Sequence, residues 1–392
     1  MLNSLDASLV TKRQILLNAM ARLSWILFWF VCLFVAAPAF AQTHLDTPHA
    51  SLAGVVIDKS NQDSLPGVHL FLVGTSYGAT TDARGSFTLD HIPLGTREIG
   101  ISIIGYETRV IRVEFTDTTQ VYREIELTPE VYELGKVVVS DKRNRRWRKR
   151  LKKFTRYFIG ESENADATSI LNPEVLSFKE RLGVLIATAS QDLIIENKAL
   201  GYRIYYTLFD FLLQDNQPRY RGVARYESLT PVDEQKAALW QRNRVNAYQG
   251  SLTHFLQVLF DAQSMADLNN HGFFLTRLNR LSRDRSTRLN RPTHITLDEI
   301  ISLTNKPFEK NLRFSDYLRI EYVNESETAR YFKRFGSGGQ KRSNQHSYLQ
   351  LTTPSTLLNQ QGFIYESYDM VIYGYMGHER VGDAVPLDFR PN

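Results

Sequence analysis

Apolar residues recur at every second position through much of residues 52–127. Val68, Leu70 and Leu72 form one such set, followed by Phe87 and Leu89, by Ile99, Ile101 and Ile103, and by Ile111, Val113 and Phe115. Successive side chains of a strand point to opposite faces, so each set predicts one buried face. The runs 52–57, 68–73, 77–81, 86–90, 97–104, 107–115 and 121–127 therefore read as seven short strands, the pattern of an all-β sandwich. The turns between them have their own chemistry. Leu65, Pro66, Gly67 and Val68 place Pro second and Gly third, as a type II turn requires. Asp82, Ala83, Arg84 and Gly85 suit a type I turn closed by a left-handed residue, and Ile92, Pro93, Leu94 and Gly95 again put Pro second and Gly fourth.

The period changes in DKRNRRWRKRLKKFTRYF, residues 141–158. Trp147, Leu151, Phe154 and Phe158 fall at i, i+4, i+7 and i+11, which predicts a helix with a single apolar stripe. Arg145, Arg146, Arg148, Lys149, Lys152 and Lys153 surround that stripe. One use of such a helix is docking, with the stripe packed on the next domain and the charges solvated. Another is to lie on an anionic membrane surface with the aromatics at headgroup level, each basic residue adding about 1 kcal/mol. In that second use the six cations and Trp147 form an anionic-surface site; lipopolysaccharide phosphates or an acidic envelope protein partner would suit the same charge.

From residue 160 onward the pattern is mixed. Residues 169–180 read as a loop into a strand, and 201–211 alternate Tyr202, Ile204, Tyr206 and Leu208 as a half-buried strand with 220–226 as its hairpin partner. Thr230 as N-cap, with Pro231 first and Asp233 third, predicts a helix through Trp240 to Tyr248. Ser251 predicts the cap of a second helix, and a third short piece is expected at 265–269. Strands are expected again at 318–323, 347–352, 362–370 and 371–375, and 336–344 reads as a flexible loop. Residues 161–392 are thus an α+β domain, and the fold class is multi-domain: a seven-stranded sandwich at 49–139, a basic helix or linker at 140–160, then that domain.

Composition alters this picture at two places. The first 41 residues have a positive start, an apolar run at 23–37 and Ala39, Phe40, Ala41 as a cleavage site, the layout of a signal peptide. Export to a periplasm or outer membrane is expected, and Cys32, the only cysteine, leaves with the signal, so the mature chain has no thiol chemistry. Removing residues 1–41, with three basic side chains and one acidic, lowers the formal charge from +5 to +3. Ten cations and no acid lie in 142–156, so the remainder sums to −7 and the basicity is local. Nucleic acid is not indicated as a partner.

Reactive constellations are sparse. TTDARGSFTLDHIPLG, residues 80–95, lacks the Gly-Lys of a phosphate loop, and Asp82 and Asp90 stand too far apart for a calcium loop. His69 and His91 have no partner at metal spacing. No GxSxG motif is present. Ser251 and His254 share a predicted helix face, but a cap and a packed helix residue account for them. Glu196, Asp298, Glu299, Glu321 and Glu379 follow no pairing rule, and His378 beside Glu379 on an expected strand would point to the opposite face. These residues imply no metal, cofactor or small-molecule ligand.

The succession GVVIDKSNQDSLPGVHLFLVGTSYGATTDARGSFTLDHIPLGTREIGISIIGYET resembles the carboxypeptidase-regulatory-like domain, a prealbumin-like β-sandwich common in exported Bacteroidetes proteins. LGKVVVS, residues 134–140, is similar to the segment that follows this domain in TonB-dependent receptors, yet too few residues remain for a plug and barrel. RRWRKRLKKFTRYFIG, ILNPEVLSF, LIIENKALGYRIYYTL, RNRVNAYQGSLTHFL and VPLDF resemble the region after this sandwich in uncharacterised Bacteroidetes envelope proteins. None of the nine histidines has Glu three residues later, so the family name implies no peptidase activity here. Export, the sandwich, the local basic segment and the lack of a complete catalytic motif together predict a non-enzymatic envelope protein with a binding or scaffolding role at the periplasmic or outer-membrane face. The competing expectation is a metal-independent hydrolase with its site in 161–392.

Overall fold

The computed structural model describes residues 48–130, 145–279, 292–335 and 343–391. The expected signal at 1–41 with Cys32, the 134–140 segment and most of the 336–344 loop lie outside the described residues. Seven strands come first: β1 (His49–Asp58), β2 (His69–Leu72), β3 (Gly78–Thr80), β4 (Ser86–Pro93), β5 (Gly95–Ser102), β6 (Arg109–Phe115) and β7 (Gln120–Leu127). They form two sheets, β4-β1-β7 and β3-β2-β5-β6, with β1 antiparallel to β4 and parallel to β7. Leu70, Leu72, Phe87, Leu89, Ile99, Ile101, Val113 and Phe115 meet Leu52 and Val56 in one core, the face that alternation predicts.

The turns adopt the geometry their residues ask for. Gly67, Gly85 and Gly95 have φ of 76°, 72° and 110°. The Asp82 carboxylate accepts from the N–H groups of Arg84 and Ser86 at 2.8 and 2.9 Å, while Gly85 N–H donates to the Asp82 carbonyl at 3.0 Å. Residues 82–85 are therefore a tight corner that carries the chain from β3 in one sheet to β4 in the other, and not the turn of a hairpin. His91 has φ of 59° next to a register shift between β1 and β4, so it marks a β-bulge.

The remainder begins with α1 (Arg145–Phe158) and the short α2 (Glu163–Asp166), followed by β8 (Thr168–Ile170), β9 (Leu176–Arg181), β10 (Val184–Ala189), β11 (Leu193–Asn197), β12 (Tyr202–Gln214) and β13 (Gln217–Ser228). These strands make a six-stranded sheet, in which one edge of the long β12 pairs with β11 and β10 in turn and the other with β13 along its length. Helices α3 (Glu234–Tyr248), α4 (Leu252–Asp261) and α5 (Met265–Asn270) follow. The cap of α3 is Asp233 rather than Thr230, because Asp233 is extended and its carboxylate accepts from Lys236 N–H at 2.6 Å.

Next come β14 (Phe273–Leu278), α6 (Leu297–Ile300), β15 (Ile301–Leu303), β16 (Glu309–Leu312), β17 (Tyr317–Tyr322), α7 (Ala329–Phe335), β18 (Gln345–Leu351), β19 (Thr356–Asn359), β20 (Met370–Gly374) and α8 (Tyr375–His378). They supply a four-stranded sheet, β14-β17-β18-β20, and a three-stranded one, β15-β16-β19. The strand expected at 362–370 is replaced by turns. Asn359 holds that segment back, its carboxamide oxygen accepting from Gln361 and Phe363 N–H at 3.0 and 3.1 Å. His378 ends a helical turn instead of lying on a strand.

The sandwich does not stand apart from this second region, and residues 48–392 cluster as one compact unit. In β2 the run Leu70-Phe71-Leu72 is buried on both faces. Leu70 and Leu72 enter the sandwich core, while Phe71 lies across Gly100 of β5 and meets Val73 and Val223 in a separate cluster. Gly74 N–H donates to the Ala224 carbonyl at 2.8 Å, and Leu387 N–H donates to the Gly74 carbonyl at 2.8 Å. Tyr365 is buried and its hydroxyl donates to the Thr96 carbonyl at 3.1 Å.

Candidate functional site

Helix α1 puts its apolar stripe inward. Phe154 and Phe158 are fully buried, stacked at 4.9 Å between ring centroids, and they contact Phe211, Tyr206 and Tyr220 of the six-stranded sheet. Trp147 joins them, with its ring 6.1 Å from Phe178 and its Nε1–H donating to the Leu176 carbonyl at 3.1 Å. The sheet thus gives Phe154 and Phe158 a dry apolar surface in place of headgroup level, while Trp147 is half-buried at its edge.

What α1 leaves outside is charge. Arg145, Arg146, Arg148, Lys149 and Lys152 are exposed, and Lys153 is half-buried. The flanks of the helix differ. On one, Arg150 pairs with Glu180 at 3.4 Å and the Tyr157 hydroxyl donates to Asn216 at 2.6 Å. On the other, Arg148, Lys152 and Arg156 follow each other at four-residue spacing and line an open groove of about 420 Å³. The far wall is Glu161, Asp166 and Arg330.

Both carboxylates in the groove are already engaged. Arg156 and Arg334 grip Glu161, and Arg330 approaches both oxygens of Asp166, one at 3.0 Å. The Arg330 guanidinium holds the Asp166 carboxyl below its ordinary range. Among the described residues no carboxylate lies within 4.0 Å of Arg148 or Lys152. The sequence pattern flags Arg148 and Lys152 but not Glu161, Asp166, Arg330 or Arg334. Arg330 and Arg334, four apart on α7, are the signal that could have found the second wall.

The remaining candidates have structural duties. The Ser251 hydroxyl accepts from His254 N–H at 3.2 Å as the α4 cap, and the His254 ring accepts from Gly250 N–H at 3.1 Å while packed against Tyr248, Phe273 and Tyr322. Burial lowers the His254 pKa to about 4. Glu196 pairs with Arg203 at 2.9 Å, Glu299 accepts from Thr296 N–H at 2.7 Å at the head of α6, where Asp298 also sits, and Glu321 pairs with Arg319 at 3.0 Å. His69 contacts the Thr80 hydroxyl at 3.2 Å, and the His91 ring lies 6.1 Å from that of His49.

A second cluster lies behind α2. Asp383 is buried and accepts from the Ser162 hydroxyl at 2.7 Å and Asn164 Nδ2–H at 3.1 Å, and burial raises its carboxyl pKa. The Ser162 hydroxyl also accepts from Ala165 N–H at 3.1 Å as the cap of α2. Glu379 is pushed well above the carboxylate range by burial, with Asp383 and Glu325 adding to the effect. Among the described residues no group of three or more His, Asp or Glu stands ready to hold a metal ion.

The first seven strands have a recognisable relationship. Residues 52–139 match the CarboxypepD_reg-like domain family. This regulatory-like domain takes in the sandwich and leaves α1 and everything after it unmatched. No curated protein matches the chain. Solved structures with local similarity include a type II cohesin–X-dockerin complex from Acetivibrio cellulolyticus, at 21% identity over 20% of this chain and 56% of that one, TM-score 0.18. The major pilin subunit BcpA of Bacillus cereus aligns at 17% identity over 21% and 30%, TM-score 0.19. A DUF3823 family protein from Parabacteroides merdae aligns at 12% identity over 47% and 83%, TM-score 0.18. The chain thus spans little more than half of the first of these and under a third of the second, and at such scores none of them bears on activity.

Proposed function

We propose that this chain is a non-enzymatic binding or scaffolding protein of the cell envelope, held at an anionic surface by the outward face of α1. The observation that carries the reading is the division of labour on that helix. Its aromatics are consumed by docking on the six-stranded sheet, while Arg145, Arg146, Arg148 and Lys149 stay exposed. A cationic face fixed to a folded body attracts an anionic surface without inserting into it, so the attraction is electrostatic and screened by salt. No helix among the described residues is long and apolar enough to cross a membrane. Export rests on the sequence layout of residues 1–41.

The regulatory-like match also favours a non-catalytic role, since it names a fold rather than a reaction. A metal-independent hydrolase would need a nucleophile and a base that are free to act. Ser251 and Ser162 are instead helix caps, and the His254 ring is tied to Gly250 N–H. Sedimentation with anionic vesicles tests the surface reading. Replacing Arg145, Arg146, Arg148 and Lys149 by Gln is expected to remove most salt-sensitive binding. Unchanged binding by that variant would rule the surface reading out.

A further inference from the structure

We propose that the groove between α1 and the Asp166–Arg330 pair is a specific site for a phosphomonoester, presented by a lipid headgroup at the anionic surface. The inference rests on the surface reading above and goes further by naming where and what the protein binds. Four cations, Arg148, Lys152, Arg156 and Arg330, face two carboxylates, Glu161 and Asp166, across about 420 Å³. That volume is within the roughly 300–1,000 Å³ typical of ligand pockets.

The distribution of charge is uneven in an informative way. Asp166 is neutralised by Arg330 beside it and Glu161 by Arg156 of α1, with Arg334 from outside the groove assisting, which leaves Arg148 and Lys152 without a carboxylate among the described residues. The lining therefore has a surplus of two positive charges. A phosphomonoester near neutral pH carries about −1.5 to −2 and three acceptor oxygens, which matches a guanidinium fork and an ammonium one helical turn apart. A phosphodiester, with a single charge, would leave one cation unmatched. Thr155 lines the same groove, and a hydroxyl is a donor suited to a phosphate oxygen.

The test uses the full chain in every arm, so that any contribution of residues 1–41 cancels. Binding is measured to phosphatidic acid vesicles, which present a phosphomonoester, and to phosphatidylglycerol vesicles, which present a phosphodiester, at matched surface potential. Two double variants remove equal charge: Arg148→Gln with Lys152→Gln inside the groove, and Arg146→Gln with Lys149→Gln outside it. The expected result is a wild-type preference for phosphatidic acid that the groove variant abolishes, with about a tenfold loss of affinity. The outer variant should weaken both lipids equally and keep the preference.

No preference in the wild type, or the same effect from both variants, overturns the groove while leaving the surface reading intact. If neither vesicle is bound, the surface reading falls and glycerol 3-phosphate in solution decides the groove. Saturable binding lost in the groove variant would then uphold a phosphomonoester site fed from solution, and absence of such binding would overturn it.

Discussion

His378 and Glu379 are adjacent, and both are driven toward their neutral forms. Burial lowers the His378 pKa to about 4, with the charges of Arg380 and Arg330 acting the same way. A histidine whose folded pKa lies below its unfolded value near 6.5 contributes fully above pH 6.5, and that contribution is lost as pH falls toward 4. His254 behaves alike, so acidification through this window should cost on the order of 2–3 kcal/mol for each ring. Glu379 has the opposite dependence. Its folded pKa is raised by burial and by Asp383 and Glu325, so its contribution is present below the unfolded value near 4.5 and lost as pH rises through the folded one. Glu379→Gln is therefore expected to melt at a higher temperature than wild type at pH 8, with the difference vanishing near pH 4. A variant that melts at or below wild type at pH 8 would show that this carboxylate is not penalised by its surroundings.

At the level of elements, α1 combines a docking stripe with a charged face, and the two should separate cleanly in stability measurements. Phe154 is fully buried among aromatic rings, so Phe154→Ala should cost about 3–5 kcal/mol in denaturant unfolding. Lys149→Ala on the exposed face should stay within about 0.5 kcal/mol. Comparable losses for the two would mean that the stripe does not anchor the helix. The stripe was legible in the sequence because it repeats at helical spacing, just as β1 to β7 were legible from alternation and from Gly67, Gly85 and Gly95 at their turns. Short strands such as β15, β16 and β19 have too few residues to display a period. The strand expected at 362–370 is absent up to residue 369, because Asn359 bends the segment through hydrogen bonds that no periodicity encodes. The groove was half legible. Arg148 and Lys152 stand in the basic run, whereas Asp166 and Arg330 are far apart in the chain and meet only through tertiary packing.

For the whole molecule, the decisive contact is the one that covers the outer face of β2. Phe71 and Val73 are buried against Val223, outside the sandwich core that Leu70 and Leu72 enter. Four apolar residues in a row, Leu70 to Val73, are the sequence sign of a strand covered on both sides. Calorimetry of the wild type should accordingly show the regulatory-like domain and the rest unfolding in one transition. Val223→Asp, which sets a carboxylate against Phe71 and Val73, should split that transition in two. Two transitions already present in the wild type would mean that the regions unfold independently.

The same cluster imposes an order in time. As the chain emerges, the seven strands can pair with one another early, because every partner they need lies before residue 128. Phe71 and Val73 then face water until Val223 has been made, and the Gly74 carbonyl receives Leu387 only after a further 164 residues. During that interval the half-finished protein displays an adhesive patch that the finished one does not have. A chain held unfolded or under escort until Val223 is available never displays that patch.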